Sequence, residues 1–253
     1  EKGLVRDMSA ETGSGVISAK LNSSDLLALV TDKSGYKSAV SVYSASGERS
    51  FTFNSSNHYM LDAVCERDGK HVAVVTLGED DGAFTSTVRR YALDQGTALS
   101  ACTLDDTLLY EIGSLGSTTV AVTDRSFFAL SADGSLKGLY DYAYPYLRGS
   151  TLGGSDFGAL VLSRYRSGSA GKLVTVGADG GLLASLQTQR DVLDVSAAGK
   201  YLAVLYSDEL VIYHSDLTEY ASLEDTQYAR GVLMRPDGTA VLLGASRGWL
   251  FVP

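Results

Sequence analysis

The feature that most constrains the fold is a run of apolar residues without polar alternation, Val72-Ala73-Val74-Val75. A strand with one face in water alternates apolar and polar residues, so this strand must be covered on both faces. Similar runs recur along the chain, at Leu26-Leu27-Ala28-Leu29-Val30, Ala159-Leu160-Val161-Leu162 and Leu202-Ala203-Val204-Leu205. A single small sheet cannot cover two faces, whereas copies stacked face to face can. The runs therefore predict repeated, stacked sheets.

Each repeat consists of short apolar strands joined by turns rich in glycine and aspartate, as in a meandering antiparallel sheet. Glycines in the first turn of successive repeats lie 38 to 47 residues apart, a spacing typical of propeller blades. The predicted repeats span residues 15–53, 59–104, 108–142, 147–187, 191–223 and 228–252.

We therefore predict an all-β fold, a single β-propeller domain over residues 1–253 with about six four-stranded antiparallel blades. A β-sandwich is the alternative, but it would give alternating strands and no period. The sixth repeat lacks a fourth strand, and residues 3–8 belong to no repeat. Because a closed ring leaves no exposed strand edge, we expect residues 3–8 to supply the missing outer strand.

Composition excludes several classes of protein. With 253 residues, 45% of them apolar, the chain can bury a large core. A net charge of −9 gives no electrostatic reason to expect a nucleic-acid partner or an anionic membrane. No run of about 18 apolar residues is present, so we expect no membrane span within this chain. The start at Glu1, without methionine, suggests that any targeting element or membrane anchor is missing.

The two cysteines are too few for a disulfide framework. Cys65 falls on the predicted innermost strand of the second repeat and Cys102 on its outermost. Three strand spacings of about 4.8 Å separate such strands, which is too far for a disulfide. We therefore predict two free thiols.

The sequence contains no recognisable catalytic or cofactor motif. His58, His71 and His214 lie in different repeats or loops, and none belongs to a His-Glu-x-x-His zinc motif. A Gly-x-Ser-x-Gly elbow, a GxGxxG motif and a P-loop are all missing. The acidic segment Glu79-Asp80-Asp81-Gly82 lacks the alternating ligand spacing of a calcium loop, and we interpret it as an exposed hairpin tip. We predict no catalytic residue, no metal and no cofactor.

One cluster of aromatic and basic residues stands out, on the connection between the third and fourth repeats. Connections from one repeat to the next emerge on the same propeller face as the connections between second and third strands. Aromatic and basic residues of those connections therefore join the cluster. Tyrosine and arginine are enriched at recognition surfaces. Pro145 should stiffen the connection, and an extended run would place the tyrosines and Arg148 on one side. The alternative is that the tyrosines pack between blades. The predicted ligand-binding residues are Tyr142, Tyr144, Tyr146, Arg148, Arg164, Arg166 and Tyr228.

Three stretches carry a resemblance to a known family. The first is Val40-Ser41-Val42-Tyr43 with Ser46-Gly47, and the second is Leu61-Asp62-Ala63-Val64 followed by Asp68-Gly69-Lys70-His71-Val72-Ala73-Val74-Val75-Thr76-Leu77-Gly78. The third is the ending Asp237-Gly238-Thr239-Ala240-Val241-Leu242-Leu243-Gly244-Ala245-Ser246. The chain resembles the DUF5711-type proteins of Gram-positive gut bacteria. The resemblance implies an extracytoplasmic, propeller-like domain behind an N-terminal membrane helix, with seven or eight blades if the full protein is longer. It implies no activity, and WD40 repeats are a poorer match because the chain has one tryptophan.

These observations favour a non-catalytic binding or scaffold module of the cell surface, recognising a protein or glycan through one propeller face. The alternative is a hydrolase or lyase with carboxylates at the mouth of the central channel, because propellers host both binding and catalysis. A quinone-dependent dehydrogenase is disfavoured, since that class places a tryptophan in each blade and this chain has a single one.

Overall fold

A computed structural model describes residues 15–167, 169 and 171–253, apart from the side chain of Asp80. Every regular secondary-structure element in this part of the chain is a β-strand. The chain forms two compact units, Glu1–Thr123 with Leu130–Leu136, and Asp124–Ala129 with Lys137–Pro253.

The strands form six antiparallel sheets, each following chain order. The first contains β1 (Val16–Leu21), β2 (Leu27–Thr31), β3 (Ser38–Tyr43) and β4 (Arg49–Ser55), and the second β5 (Tyr59–Cys65), β6 (His71–Asp80), β7 (Ala83–Ala92) and β8 (Ala98–Asp105). The third contains β9 (Leu109–Leu115), β10 (Thr118–Thr123), β11 (Ser126–Leu130) and β12 (Leu136–Asp141). The fourth contains β13 (Tyr146–Thr151), β14 (Phe157–Ser163), β15 (Gly171–Gly177) and β16 (Leu182–Thr188). The fifth contains β17 (Val192–Ala198), β18 (Tyr201–Tyr206), β19 (Glu209–His214) and β20 (Glu219–Glu224), and the sixth β21 (Gly231–Met234), β22 (Ala240–Leu243) and β23 (Gly248–Phe251).

Three of the second strands are buried along their whole length, as the prediction of cover on both faces requires. Every residue of β10, β14 and β18 is buried. In the first unit, Val30 and Val40 of the first sheet pack with Val74 of the second. In the second unit, Phe157 of the fourth sheet packs with Val204 of the fifth. Apolar contact between neighbouring sheets is the main source of stability in such a stack.

Each four-stranded sheet begins with a β-bulge in its first strand. One residue in each of these strands has no partner on the second strand, which bends the first strand and turns that residue outward. The bulged residues are Ile17, Leu61, Tyr110, Arg148 and Leu193. Arg148 is the charged member of this otherwise uncharged set.

Within each unit, the first strands of neighbouring sheets run side by side in the same direction. In the first unit, Ser18 bonds to Asp62 and Asn22 bonds to the carbonyl of Glu66. In the second unit, Val232 bonds to Asp194 and Met234 bonds to Ser196, so these two strands also run in the same direction. Connections of the same kind therefore fall at the same end of a unit.

The sixth sheet has three strands among the described residues. Residues 3–8, which the sequence assigns to its fourth strand, lie outside the described residues, so that assignment stays a prediction. The prediction for the cysteines is confirmed: Cys65 on β5 and Cys102 on β8 are free and lie on opposite edges of one sheet. The part of the chain that the structure describes contains no helix that could span a membrane.

Candidate functional site

The candidate site lies at one end of the fourth sheet. Residues 142–145 lead from β12 into β13, and the segment after Ser163 leads from β14 to β15. The first residue of β13, Tyr146, pairs with Ser163, the last residue of β14. The two connections are therefore neighbours. We call Tyr144, Tyr146, Arg148, Arg164 and Arg166 the tyrosine–arginine cluster.

Tyr144 is the buried base of the cluster, with 8% of its surface exposed. Its hydroxyl donates a hydrogen bond of 3.0 Å to Oε1 of Gln187. The guanidinium carbon of Arg164 lies 5.3 Å from the centre of its ring, within the range of a cation–π contact. An exposed arginine thus rests on a fixed aromatic ring.

Arg148 occupies the bulge of β13 and is exposed. One of its donors, Nη1, bonds to the backbone carbonyl of Arg166 at 3.1 Å, which holds the two arginines together. Beside it, Arg148 and Arg190 line a cavity of about 20 Å³, enough for one water molecule. A guanidinium has five N–H donors, so most of those on Arg148 remain available to a ligand.

Arg190 is committed to the protein itself. Its two terminal nitrogens bond to Glu209 at 2.5 Å and Asp208 at 2.7 Å, and it stacks 4.0 Å from the ring centre of Tyr206. Partial burial would lower the pKa of Arg190, but the hydrogen bonds to Asp208 and Glu209 outweigh it and raise the pKa above its ordinary value. Arg190 therefore supports the edge of the site and offers a ligand little free charge.

The cluster arginines differ from Arg190 in their partners. Across residues 15–167, 169 and 171–253, ion pairs engage Arg90, Arg125, Arg190 and Arg235, whereas no carboxylate pairs with Arg148, Arg164 or Arg166. Unpaired guanidinium groups beside the exposed rings of Tyr146 and Tyr165 form a cationic, aromatic surface on a chain whose net charge is −9.

Two predicted site residues lie apart from the cluster. Tyr142 is half-buried, and its ring centre lies 6.3 Å from that of Tyr140. Tyr228 packs on Trp249 of the sixth sheet, with ring centres 4.3 Å apart. Sequence reasoning missed the contact between Tyr228 and Trp249 because the two residues lie 21 positions apart, Tyr228 in a turn and Trp249 on β23.

The expectation that the tyrosines and Arg148 share one side of an extended run fails at Tyr144, whereas Tyr146 and Arg148 are exposed alike. Tyr144 is buried, while Tyr146 is 38% exposed and Arg148 is exposed. The chain bends at residues 143–145, and the bulge at Arg148 shifts the alternation again. Either irregularity is enough to change which face a side chain occupies.

Residues 3–224 match a protein family described as "Family of unknown function (DUF5711)". The chain belongs to the DUF5711 family. No curated protein matches its sequence.

Solved structures similar to this DUF5711 chain include a WD40 domain and a propeller. The C-terminal WD40 domain of Sif2 is 12% identical, with a TM-score of 0.55, over 94% of this chain and 81% of that one. The Dos1 propeller is 13% identical, with a TM-score of 0.59, over 93% and 67%. BBS1N, in complex with ARL6DN, is 10% identical, with a TM-score of 0.55, over 94% and 78%. The predicted propeller fold of about six blades is confirmed, although the chain lacks the Trp-Asp signature of WD40 repeats.

The first unit of the DUF5711 chain contains a second group of polar side chains that sequence reasoning did not assemble. Glu66, Asp68 and His71 place ligand-type atoms within 4.8 Å of one another at the turn between β5 and β6. Arg90 donates to both oxygens of Glu66, at 2.7 and 2.8 Å, and His71 Nδ1 lies 2.5 Å from Asp68 Oδ2. These bonds make the group an ion-pair network within the protein, and its signal was the Glu-x-Asp-x-x-His spacing.

Buried carboxylates on the first strands were the residues to test for the hydrolase or lyase alternative. Asp62 accepts hydrogen bonds from Ser18, Lys20, Ala63 and Ile112, at 2.5 to 2.9 Å. A carboxylate whose two oxygens already accept four hydrogen bonds has no free lone pair for proton transfer. Its geometry gives the alternative no support.

Proposed function

We propose that this DUF5711 domain is a non-catalytic binding or scaffold module that recognises a protein partner through its tyrosine–arginine cluster. The observation that carries the proposal is the set of three arginines, Arg148, Arg164 and Arg166, which lack carboxylate partners among the described residues although the chain has 30 acidic residues. Other described arginines, such as Arg49 and Arg67, also lack a carboxylate partner, but these three lie together beside tyrosine rings. Arginines left unpaired beside tyrosines are available to a partner.

The geometry favours a partner segment that carries carboxylates. Arg148 donates to the backbone carbonyl of Arg166, so its guanidinium is held beside the connection that carries Arg164 and Arg166 before a ligand arrives. Arg164 lies over the ring of Tyr144, which restricts its rotamers. Guanidinium groups bind carboxylates with two parallel hydrogen bonds, and prior ordering lowers the entropy cost of binding. The exposed rings of Tyr146 and Tyr165 add apolar area for the partner's backbone or aromatic side chains.

The fold is compatible with this function without deciding it. Propellers serve as binding platforms and as enzymes, so the similarity to solved propellers speaks only for the architecture. One of these, BBS1N, was solved in complex with another protein, and we extend that type of role to this chain as part of the proposal. We also propose that the domain acts outside the cytoplasm, at the cell surface, as the family resemblance implies.

The proposal can be tested by selecting a displayed random-peptide library on the wild-type domain and measuring the recovered peptides by titration. We expect selected peptides to be acidic. The double substitution Arg148→Ala with Arg166→Ala should weaken binding by about 10- to 100-fold, since each charged hydrogen bond contributes about 1.5 kcal/mol or more.

Arg49→Ala with Arg67→Ala is the matched control, because it removes the same charge from exposed positions of the first unit. The control should change the affinity less than about 2-fold, as expected of surface charge alone. Equal losses in both double variants would reduce the effect to net charge and reject the cluster as the site. Selected peptides without acidic residues would reject the proposed chemistry.

A further inference from the structure

The hairpin of β6 and β7 extends beyond the sheet to which it belongs. The last pair between β5 and β6 is Tyr59 with Leu77, and the first between β7 and β8 is Thr85 with Asp105. Beyond them, β6 and β7 continue to pair with each other to the end of the hairpin, and at its base the Phe84 carbonyl also accepts the N–H of Asp106 at 3.0 Å. Both strands have 10 residues, whereas β8, on the same sheet, has 8. Residues 79–84 therefore form a two-stranded projection.

The projection is held in one conformation. Asp81 and Gly82 at its tip have φ angles of 48° and 82°, the left-handed values of a two-residue type I′ turn. The Gly82 N–H donates to Oε1 of Glu79 at 3.1 Å. At its base, Gly78 packs so closely on His58 that a Cβ there would lie 2.5 Å from the ring nitrogen Nδ1. A preformed hairpin loses little entropy on binding.

The tip combines an exposed aromatic ring with negative charge. Phe84 is 66% exposed, and it pairs across the hairpin with Glu79, which is exposed as well. Asp81 adds a further exposed carboxylate in the turn. A ring that is exposed on a projecting ribbon is typical of an anchor residue that a partner covers.

The complementary chemistry is found on the same chain. The tyrosine–arginine cluster offers unpaired guanidinium groups for Glu79 and Asp81, and an arginine face or a tyrosine ring for Phe84. We propose that the β6–β7 hairpin of one copy docks on the tyrosine–arginine cluster of a second copy. This inference rests on the proposed function, because it uses the same cluster and names a second copy of the chain as the partner.

A contact between two different patches is heterologous, so it either occurs twice in a closed pair or links copies into a chain. The tip is small compared with a standard interface of about 1,600 Å². We therefore expect a weak, salt-sensitive association with a dissociation constant of about 10 µM to about 1 mM.

Sedimentation velocity of the purified chain over a range of concentrations tests the inference. The wild type should self-associate at about 20 mM salt and dissociate at about 500 mM salt, because exposed charges are then screened. Glu79→Lys with Asp81→Lys should abolish association, and so should Arg148→Glu with Arg166→Glu. An equimolar mixture of these two charge-reversed proteins should associate again, since each contributes the partner that the other needs.

Two controls separate this contact from general charge effects. Glu48→Lys with Asp94→Lys makes the same charge change at exposed positions elsewhere in the first unit and should leave association intact. Phe84→Ser keeps every charge and should weaken association by about 10-fold, the value of burying one aromatic ring in part. Thermal melts of each variant identify loss of folding.

A wild type that remains monomeric at every concentration would overturn this inference and leave the proposed function standing. Association that survives the hairpin charge reversal, or a mixture that fails to associate, would also overturn it. Peptide binding that is insensitive to Arg148→Ala with Arg166→Ala would instead reject the proposed function, so the two failures have different signatures.

Discussion

The two units of the chain place an aspartate at the same position of the repeat. Asp62 on β5 and Asp194 on β17 each follow a bulged residue. Each accepts the N–H of the next residue in its own strand at 2.9 Å. Each also accepts an N–H from the first strand of the following sheet, from Ile112 at 2.9 Å and from Val232 at 2.8 Å. Both therefore tie two sheets together.

The surroundings of Asp62 make it the more heavily bonded of the two. The preceding sheet supplies Ser18, whose hydroxyl donates at 2.5 Å, and Lys20, whose ammonium donates at 2.6 Å. Lys20 also donates to the carbonyl of Ile112 at 2.5 Å and lies 3.8 Å from Glu111. The Asp62 side chain is 6% exposed. One carboxylate thus joins the first strands of three sheets.

The strands on either side of Asp194 carry glycines at the positions that hold larger side chains beside Asp62. Gly149 follows the bulge on β13, and Gly231 is the first residue of β21. A Cβ on Gly231 would lie 3.2 Å from the Asp194 carboxylate. The sheet before it instead offers Thr151, whose hydroxyl accepts the N–H of Ala197 at 3.1 Å. Neighbouring sheets are therefore linked by a partly buried ion pair in one unit, and by a carboxylate and a hydroxyl that accept backbone N–H groups in the other.

The comparison predicts its largest effect for Asp62→Ala. The substitution removes the acceptor of the Ser18 hydroxyl and of two backbone N–H groups, whereas the Lys20 ammonium keeps its bond to the Ile112 carbonyl. Unsatisfied donors cost about 1 to 3 kcal/mol and loss of a part-exposed ion pair up to about 1 kcal/mol more, so the free energy of unfolding should fall by about 2 to 4 kcal/mol. Urea unfolding monitored by circular dichroism measures it.

A double-mutant cycle sharpens this prediction. In a background of Ser18→Gly with Lys20→Thr, which copies the residues before Asp194, we expect Asp62→Ala to cost about 1 to 3 kcal/mol, the value for unsatisfied N–H groups alone. A cost that does not change with the background would show that Ser18 and Lys20 add nothing to the link.

A smaller loss is expected for Asp194→Ala. Two backbone N–H groups, those of Val195 and Val232, lose their acceptor, and no buried cation is left behind. The free energy of unfolding should fall by about 1 to 3 kcal/mol, measured under the same conditions. If Asp194→Ala destabilised the chain as much as Asp62→Ala does, the distinction between the two links would be wrong.

The smallest effect on stability is expected for aspartates in turns, which occur in both units. Asp133 in the first unit accepts from the hydroxyl and N–H of Ser135, and Asp216 in the second accepts from those of Thr218. The hydroxyl bond and then the backbone bond lower the pKa of both aspartates below the ordinary value. Carboxylates of this kind stabilise the fold above the unfolded pKa of about 3.9, and the contribution is lost as the pH falls through the lower folded pKa.

The stability gap between the wild type and Asp133→Asn, or Asp216→Asn, should therefore shrink between about pH 5 and about pH 2. Because the bonding is the same, the two variants should respond alike, unlike the variants of Asp62 and Asp194. Urea titrations at several pH values provide the measurement. A gap that widened in acid would contradict the assigned direction of the shift.

Much of the architecture could be predicted from the sequence because it depends on local patterns. An unbroken apolar run such as Val72-Ala73-Val74-Val75 requires cover on both faces, and it lies buried between sheets. Turns are local too: Asp68-Gly69 and Asp237-Gly238 hold glycines at φ angles of 68° and 91°, which other residues adopt only with strain. Strands, turns and repeats of about 40 residues follow from such signals.

The candidate site and the links between sheets were decided by tertiary structure. A single extra residue at Arg148 changes which face the chain presents, and nothing in the local sequence marks a bulge there. The hydroxyl of Tyr144 bonds to Gln187, which lies 43 residues away on β16. Lys20, Asp62 and Ile112 meet only because three first strands lie side by side. A sequence specifies its own strands residue by residue, but contacts between repeats depend on register and packing, which distant parts of the chain set together.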